Sequence, residues 1–132
     1  MTKSISSISA EFGISAYTLR FYEKEGLVSV PRNSKGIREY DEQAIRRINA
    51  IAHYRRTGLS LAEIKQIFTT PDDQQFHIDL LTKQLAKIEQ QLADLQQTHE
   101  FLLYKIDRHT QLLDEQLTKA VSETKYNTGA QN

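Results

Sequence analysis

The 132-residue sequence predicts a mainly α protein in two parts, a small helical domain with one hairpin and then a single long helix. Three features point there. Throughout residues 1–70, Ser and Asp precede and Gly follows short apolar-periodic stretches, the punctuation of short capped helices. Composition changes at Thr69-Thr70-Pro71-Asp72-Asp73: four of the five Gly lie before it, and Gln, Leu and charged residues dominate after it. From Leu81 onward the apolar residues step alternately by four and three. The expected divisions are 1–70 for the small domain, 71–119 for the long helix and 120–132 for a flexible, polar tail.

The elements follow in order. Ser4, Ser6 and Ser7 accompany Ile5, Ile8 and Phe12, and Gly13 closes the stretch, which predicts a two-turn helix capped by Ser and stopped by Gly. Ser15 caps a second helix carrying Leu19, Phe21 and Tyr22. Helix, Gly-containing turn and helix together make helix-turn-helix geometry. On the second helix Ala16, Tyr17, Arg20 and Lys24 supply small, hydrogen-bonding and cationic groups suited to a DNA major groove. The β-prone runs Leu27–Val30 and Ile37–Tyr40 flank Pro31-Arg32-Asn33-Ser34-Lys35-Gly36 and read as a hairpin that presents Arg32, Lys35 and Arg38, a wing beside the groove. Asp41 caps a third helix with Ile45, Ile48 and Ile51 and with Arg46, Arg47, Arg55 and Arg56. After Thr57-Gly58, Ser60 and Glu63 form a capping box for a fourth helix built on Leu61, Ile64, Ile67 and Phe68, so Glu63 is a cap and not a catalytic acid.

Pro71, Asp72 and Asp73 suit the start of the long helix. Its stripe runs Leu81, Leu85, Ile88, Leu92, Leu95, His99, Leu102, Ile106, His109 and Leu113, an a/d seam of more than four heptads. Such a narrow stripe needs a partner helix. About 45 residues at ~1.5 Å each make a rod of about 65 Å, and the simplest partner is a second copy of the chain. The alternative is that the helix folds back on its own N-terminal domain. His99 and His109 sit where polar seam residues set register; a pH- or zinc-sensing role is the other reading of these positions, together with His77 on the same helix.

Composition excludes several classes. The chain has no Cys, which removes disulfides, thiolate zinc sites, iron–sulfur ligation and thiol catalysis. No apolar run approaches the ~18 residues that span a bilayer and the N-terminus lacks a signal-peptide core, so a cytoplasmic location and no membrane partner are expected. Seventeen Lys+Arg balance seventeen Asp+Glu, yet the balance is uneven: residues 1–70 carry net +4 and residues 71–132 net −4. The two parts face different partners. No nucleophile–base pair, phosphate loop or HExxH metal motif appears, so neither an enzyme nor a cofactor is expected.

Several strings resemble those of one family of bacterial transcription regulators, the MerR family. They are Ile5, Ile8 and Gly13-Ile14-Ser15; Thr18-Leu19-Arg20-Phe21-Tyr22-Glu23 with Gly26-Leu27; Arg32 with Gly36-Ile37-Arg38-Glu39-Tyr40; and Gly58-Leu59-Ser60-Leu61 with Glu63-Ile64, in order over about residues 4–70. The resemblance implies a winged helix-turn-helix DNA-binding domain followed by a dimerisation helix that pairs antiparallel with its twin. It also implies a homodimer on a pseudo-palindromic site in a promoter spacer, acting by bending and undertwisting the duplex so that RNA polymerase is reached through the promoter DNA. It assigns Ser15, Tyr17, Thr18, Arg20 and Tyr22 to the recognition helix, Arg32, Lys35 and Arg38 to the wing, and Arg55 and Arg56 to flanking phosphates. Short length and Leu103-Tyr104-Lys105-Ile106-Asp107 resemble the aldehyde- and electrophile-responsive branch, whose reactive Cys is replaced here by His53. His53 is therefore the candidate effector or switch position, with the effector itself unidentified. A coiled-coil adaptor whose basic domain binds protein or RNA is the competing function.

Overall fold

A computed structural model describes the backbone of residues 1–130 and the side chains of residues 1–124. Among the described residues five helices follow one another: α1 (Ile5–Phe12), α2 (Ala16–Lys24), α3 (Glu42–Arg56), α4 (Leu61–Thr69) and α5 (Gln74–Ala130). The chain divides into two compact units, Met1–Lys87 and a second beginning at Ile88.

Each of the first four helices starts where the sequence expects. The side chains of Ser4, Ser15, Asp41 and Ser60 accept the backbone N–H groups of Ser7, Thr18, Ala44 and Glu63, satisfying donors that the first helical turn leaves unpaired. At Ser60 the box is complete, because Glu63 also accepts the Ser60 N–H at 2.9 Å. That hydrogen bond holds the Glu63 carboxyl below its ordinary value. α1 ends on Gly13 in the left-handed region (φ +65°), which a residue with a Cβ enters only at a cost.

The core of the first unit is a single cluster fed by every element. Ile8 comes from α1, Leu19 and Tyr22 from α2, Ala44, Ile48 and Ile51 from α3, Ile64 and Ile67 from α4, with Leu59 from the turn between α3 and α4. Leu80, on the first turns of α5, packs against the same cluster. Phe68 closes one edge, with Tyr54 tilted against its ring and the Arg47 guanidinium 3.9 Å over its face.

The expected hairpin is corrected. No strand occurs among the described residues; pairing is limited to two isolated antiparallel bridges, Arg32 with Arg38 and Lys3 with Tyr40. Leu27, Val28 and Val30 are buried in the core instead of alternating along a ladder, and Pro31 has no N–H to give one. Tyr40 pairs back to Lys3 through two backbone hydrogen bonds of 2.8 and 2.9 Å. What survives of the hairpin is a tight loop in which Asn33 N–H donates to the Ile37 carbonyl and Glu39 N–H to the Pro31 carbonyl, both at 2.9 Å. Asn33 Oδ1 accepts two further N–H groups, from Lys35 and Ile37, so one side chain does the work of a turn.

α5 also differs at both ends. Pro71 and Asp72 form a turn before it, and Asp73 provides the cap, with its carboxylate accepting the Phe76 N–H at 3.1 Å. The helix does not stop at Lys119 but runs to Ala130, since residues 120–126 contain no Gly or Pro and extending a formed helix is cheap. Residues 131 and 132 of the expected tail lie outside the described residues. The first compact unit likewise runs beyond residue 70, to Lys87, because the start of α5 belongs to it. Gln84, buried on α5, donates its Nε2 to the Thr57 carbonyl at the end of α3.

Gly58 sits in this junction with φ +91°, and a Cβ there would lie 2.8 Å from Gln84 Nε2. Gly58→Ala is expected to cost about 1–3 kcal/mol in thermal denaturation, and less in a Gln84→Ala background, where only the backbone strain remains.

Candidate nucleic-acid interface

The recognition surface grows out of the way α2 is buried. Leu19 and Tyr22 face inward, so Tyr17, Arg20 and Lys24, at spacings of three and four, share the opposite face. All three are exposed, Tyr17 by 80 %. A tyrosine this exposed on a two-turn helix gains nothing from the core and is free for a partner. Ser15 is committed to capping: its Oγ accepts the Thr18 N–H at 3.1 Å and donates to Thr18 Oγ1 at 2.9 Å. Ala16 and Thr18 flank the exposed face half-buried. Tyr22 follows Leu19 by three on the inner face, and its ring is part of the core at 6 % exposure.

The wing is joined to this helix by charge. Glu23, on the flank of α2, forms an ion pair with Arg32 Nη1 at 3.0 Å through one oxygen and accepts Arg32 Nη2 at 3.2 Å and Arg38 Nε at 2.8 Å on the other. Arg32 Nη1 also donates to the Val30 carbonyl at 2.9 Å. Burial pushes the Glu23 carboxyl up, but the hydrogen bonds and charges of Arg32 and Arg38 outweigh it and hold the group below its ordinary value of 4.5. Beneath the cluster lies Tyr40, fully buried, whose hydroxyl has no hydrogen-bond partner among the described residues. Burial and the Glu23 carboxylate raise its pKa against the opposing fields of Arg38, Arg32 and Arg20. Lys35 is exposed at the loop tip, beside an exposed Ile37.

The remaining sequence candidates are more dispersed. Arg55 reaches forward to donate to the Leu59 carbonyl at 2.9 Å, in the turn between α3 and α4, and both Arg55 and Arg56 are exposed. His53 is exposed on α3. In the first unit the seam residues Leu81 and Leu85 are 39 % and 55 % exposed. In the second, Leu92, Leu95, Leu102, Ile106 and Leu113 are all exposed, as are His99 and His109, and Ile88 is half-buried. No helix among the described residues is long and apolar enough to cross a membrane.

Sequence reasoning missed three residues that organise the site. Glu23 stood inside the Thr18–Glu23 string without a role, Asn33 was only one of several turn formers, and Gln84 lay among many glutamines. Glu23 had a readable signal, a carboxylate on the helix that also bears Arg20 and Lys24. Asn33 had one too, since an Asn in a turn accepts N–H groups two to four residues on, whereas Gln84 had none, because its partner is a backbone carbonyl brought near by folding.

Two family models match the chain, that of the MerR HTH family regulatory protein over residues 3–70 and that of MerR, DNA binding, over residues 45–104. An uncharacterized HTH-type transcriptional regulator of Haemophilus influenzae is 32% identical over 111 residues, covering 80% of this chain and 82% of that protein. HTH-type transcriptional regulator AdhR of Bacillus subtilis is 43% identical over 72 residues, 52% of this chain and 51% of its own length. Among solved structures, HiNmlR, a MerR family regulator lacking the sensor domain and bound to promoter DNA, matches with a TM-score of 0.69 and 32% identity over 80% of this chain and 84% of that one. With capped helices, an outward Tyr17–Arg20–Lys24 face and a charge-docked wing on the same unit as these matches, the chain belongs to the MerR family of helix-turn-helix, DNA-binding transcription regulators.

Proposed function

We propose that the chain acts as a homodimer on a pseudo-palindromic duplex in a promoter spacer, each copy reading one half-site through α2 and its wing. The observation that carries this reading is the exposed face of Tyr17, Arg20 and Lys24, backed by a wing with Arg32, Lys35 and Arg38. Hydrogen-bonding and cationic groups on a short exposed helix suit base edges and phosphates. Ser15, Ala16 and Thr18 shape the start of that helix, and Arg56 adds a flanking cation. A relative of similar fold bound to promoter DNA supports the same use of this domain.

Dimerisation through α5 is supported by its exposed seam, since a stripe of Leu and Ile open to water is stabilising only when a partner helix covers it. Antiparallel pairing follows from the family resemblance. Regulation would then work through the DNA, by bending and undertwisting the spacer at an elastic cost of roughly 1–6 kcal/mol so that RNA polymerase engages both promoter elements. The site of action is the cytoplasm. His53 remains the position proposed for a switch.

The reading is tested with a duplex selected by the purified protein from a random-sequence pool, against a scrambled duplex of the same composition. Selective binding that weakens steeply with salt is expected, by about 0.9 in log–log slope per neutralised phosphate. Equal binding to both duplexes, or preference for single-stranded RNA, would favour the adaptor function. Arg20→Ala is expected to weaken binding to the selected duplex about 10- to 100-fold with helicity unchanged, as for loss of one base-reading arginine. Leu92→Glu with Leu95→Glu is expected to give monomers by sedimentation that bind the selected duplex weakly, because each then engages a single half-site.

A further inference from the structure

Arg32 and Arg38, the wing cations expected to meet DNA, are both tied to a carboxylate on the recognition helix, an arrangement that by charge alone works against binding a polyanion. The geometry resolves the conflict. Arg38 gives Glu23 only its Nε, at 2.8 Å, and neither of its Nη atoms has a partner among the described residues. A guanidinium has five N–H donors in a rigid plane, so the Nε bond fixes that plane while the Nη edge remains open. The Arg38 side chain keeps 29 % of its surface exposed. Arg32 is held by two hydrogen bonds, one to Glu23 and one to the Val30 carbonyl, and by a second ion-pair contact with Glu23.

The stems of the wing are anchored by Val30 and Tyr40 in the core and by the backbone pair of Tyr40 with Lys3. Its outer part lacks a strand ladder, and a single bridge joins Arg32 to Arg38. Glu23 is 20 % exposed, and among the described residues it forms the only ion pairs between α2 and the wing. Without it the loop would keep the Asn33 turn but lose its fixed distance from Arg20.

We propose that Glu23 is a positioning residue for DNA binding: it sacrifices one negative charge at the interface to dock the wing on α2 and to aim the free Nη edge of Arg38 at a backbone phosphate. The inference rests on the DNA-binding reading above. It carries a sign opposite to simple electrostatics, under which removing a carboxylate that faces a polyanion tightens binding.

The experiment measures binding to the duplex selected by the wild-type protein, over a salt series, for Glu23→Gln, for Arg32→Ala with Arg38→Ala, and for all three changes together. The wild-type protein must first discriminate this duplex from the scrambled one; if it does not, the DNA-binding reading fails and not the role of Glu23. Expected for Glu23→Gln is a loss of affinity of about tenfold, the scale of one charge-assisted contact, with a salt slope lowered by about 0.9 for the phosphate released. In the background lacking both arginines, the same change should leave binding equal or tighter. Equal or tighter binding by Glu23→Gln alone, or an equal loss in both backgrounds, overturns the proposal. Arg38→Lys guards against a folding defect in Glu23→Gln, because it preserves charge while a lone ammonium has no separate edge for carboxylate and phosphate. It should reproduce the loss with the thermal midpoint unchanged, and wild-type affinity in that variant would equally overturn the proposal.

Discussion

The four short helices of the first unit depend on one shared core, because three are too short to be stable by themselves and α3 only reaches the margin. They contain 8, 9, 15 and 9 residues, and isolated helices below ~12–15 residues are marginal in water. Ile8, Leu19, Ile48, Ile51 and Ile64 are fully buried together, so each helix is held by side chains from the others. Burying such a side chain contributes about 1.5–3 kcal/mol. The outward residues inherit their positions from this. With Leu19 and Tyr22 fixed inside, a 100° step per residue leaves Tyr17, Arg20 and Lys24 no direction but outward.

The wing is governed by different chemistry. Its apolar residues Leu27, Val28 and Val30 are drawn into the core, which removes the alternation a ladder needs, and polar side chains take over. Asn33 replaces missing backbone pairing at the tip, and Glu23 replaces it at the base. Charge-assisted bonds suit this task, being roughly twice as strong as neutral ones, and partial burial keeps them from being fully screened. The net +4 of residues 1–70 therefore overstates the cations that are free, since Arg32, Arg38 and Arg55 all have intramolecular partners.

How much of this was legible depends on whether the signal is local. The caps Ser4, Ser15, Asp41 and Ser60 and the stop at Gly13 act within four residues, so sequence alone located four helices and the helix-turn-helix. The hairpin was misread because β-branched residues favour strands and cores alike, and only the tertiary context decides between them. The end of α5 was set too early because a polar segment was read as frayed although nothing in residues 120–126 breaks a helix. The Glu23 tie spans nine residues to Arg32 and fifteen to Arg38, distances at which no periodicity speaks.

The root of α5 is built into the floor of the first unit, through Leu80 against the core and Gln84 at the Thr57 carbonyl. Anyone grafting this reading head onto a foreign dimeriser meets a rule of carpentry in that fact. A joint cut at the compositional break near Pro71 saws off the floorboards, leaving a bare apolar patch and an orphaned carbonyl. One cut after Lys87 transplants the head whole, and any chimera's register has to be counted from there.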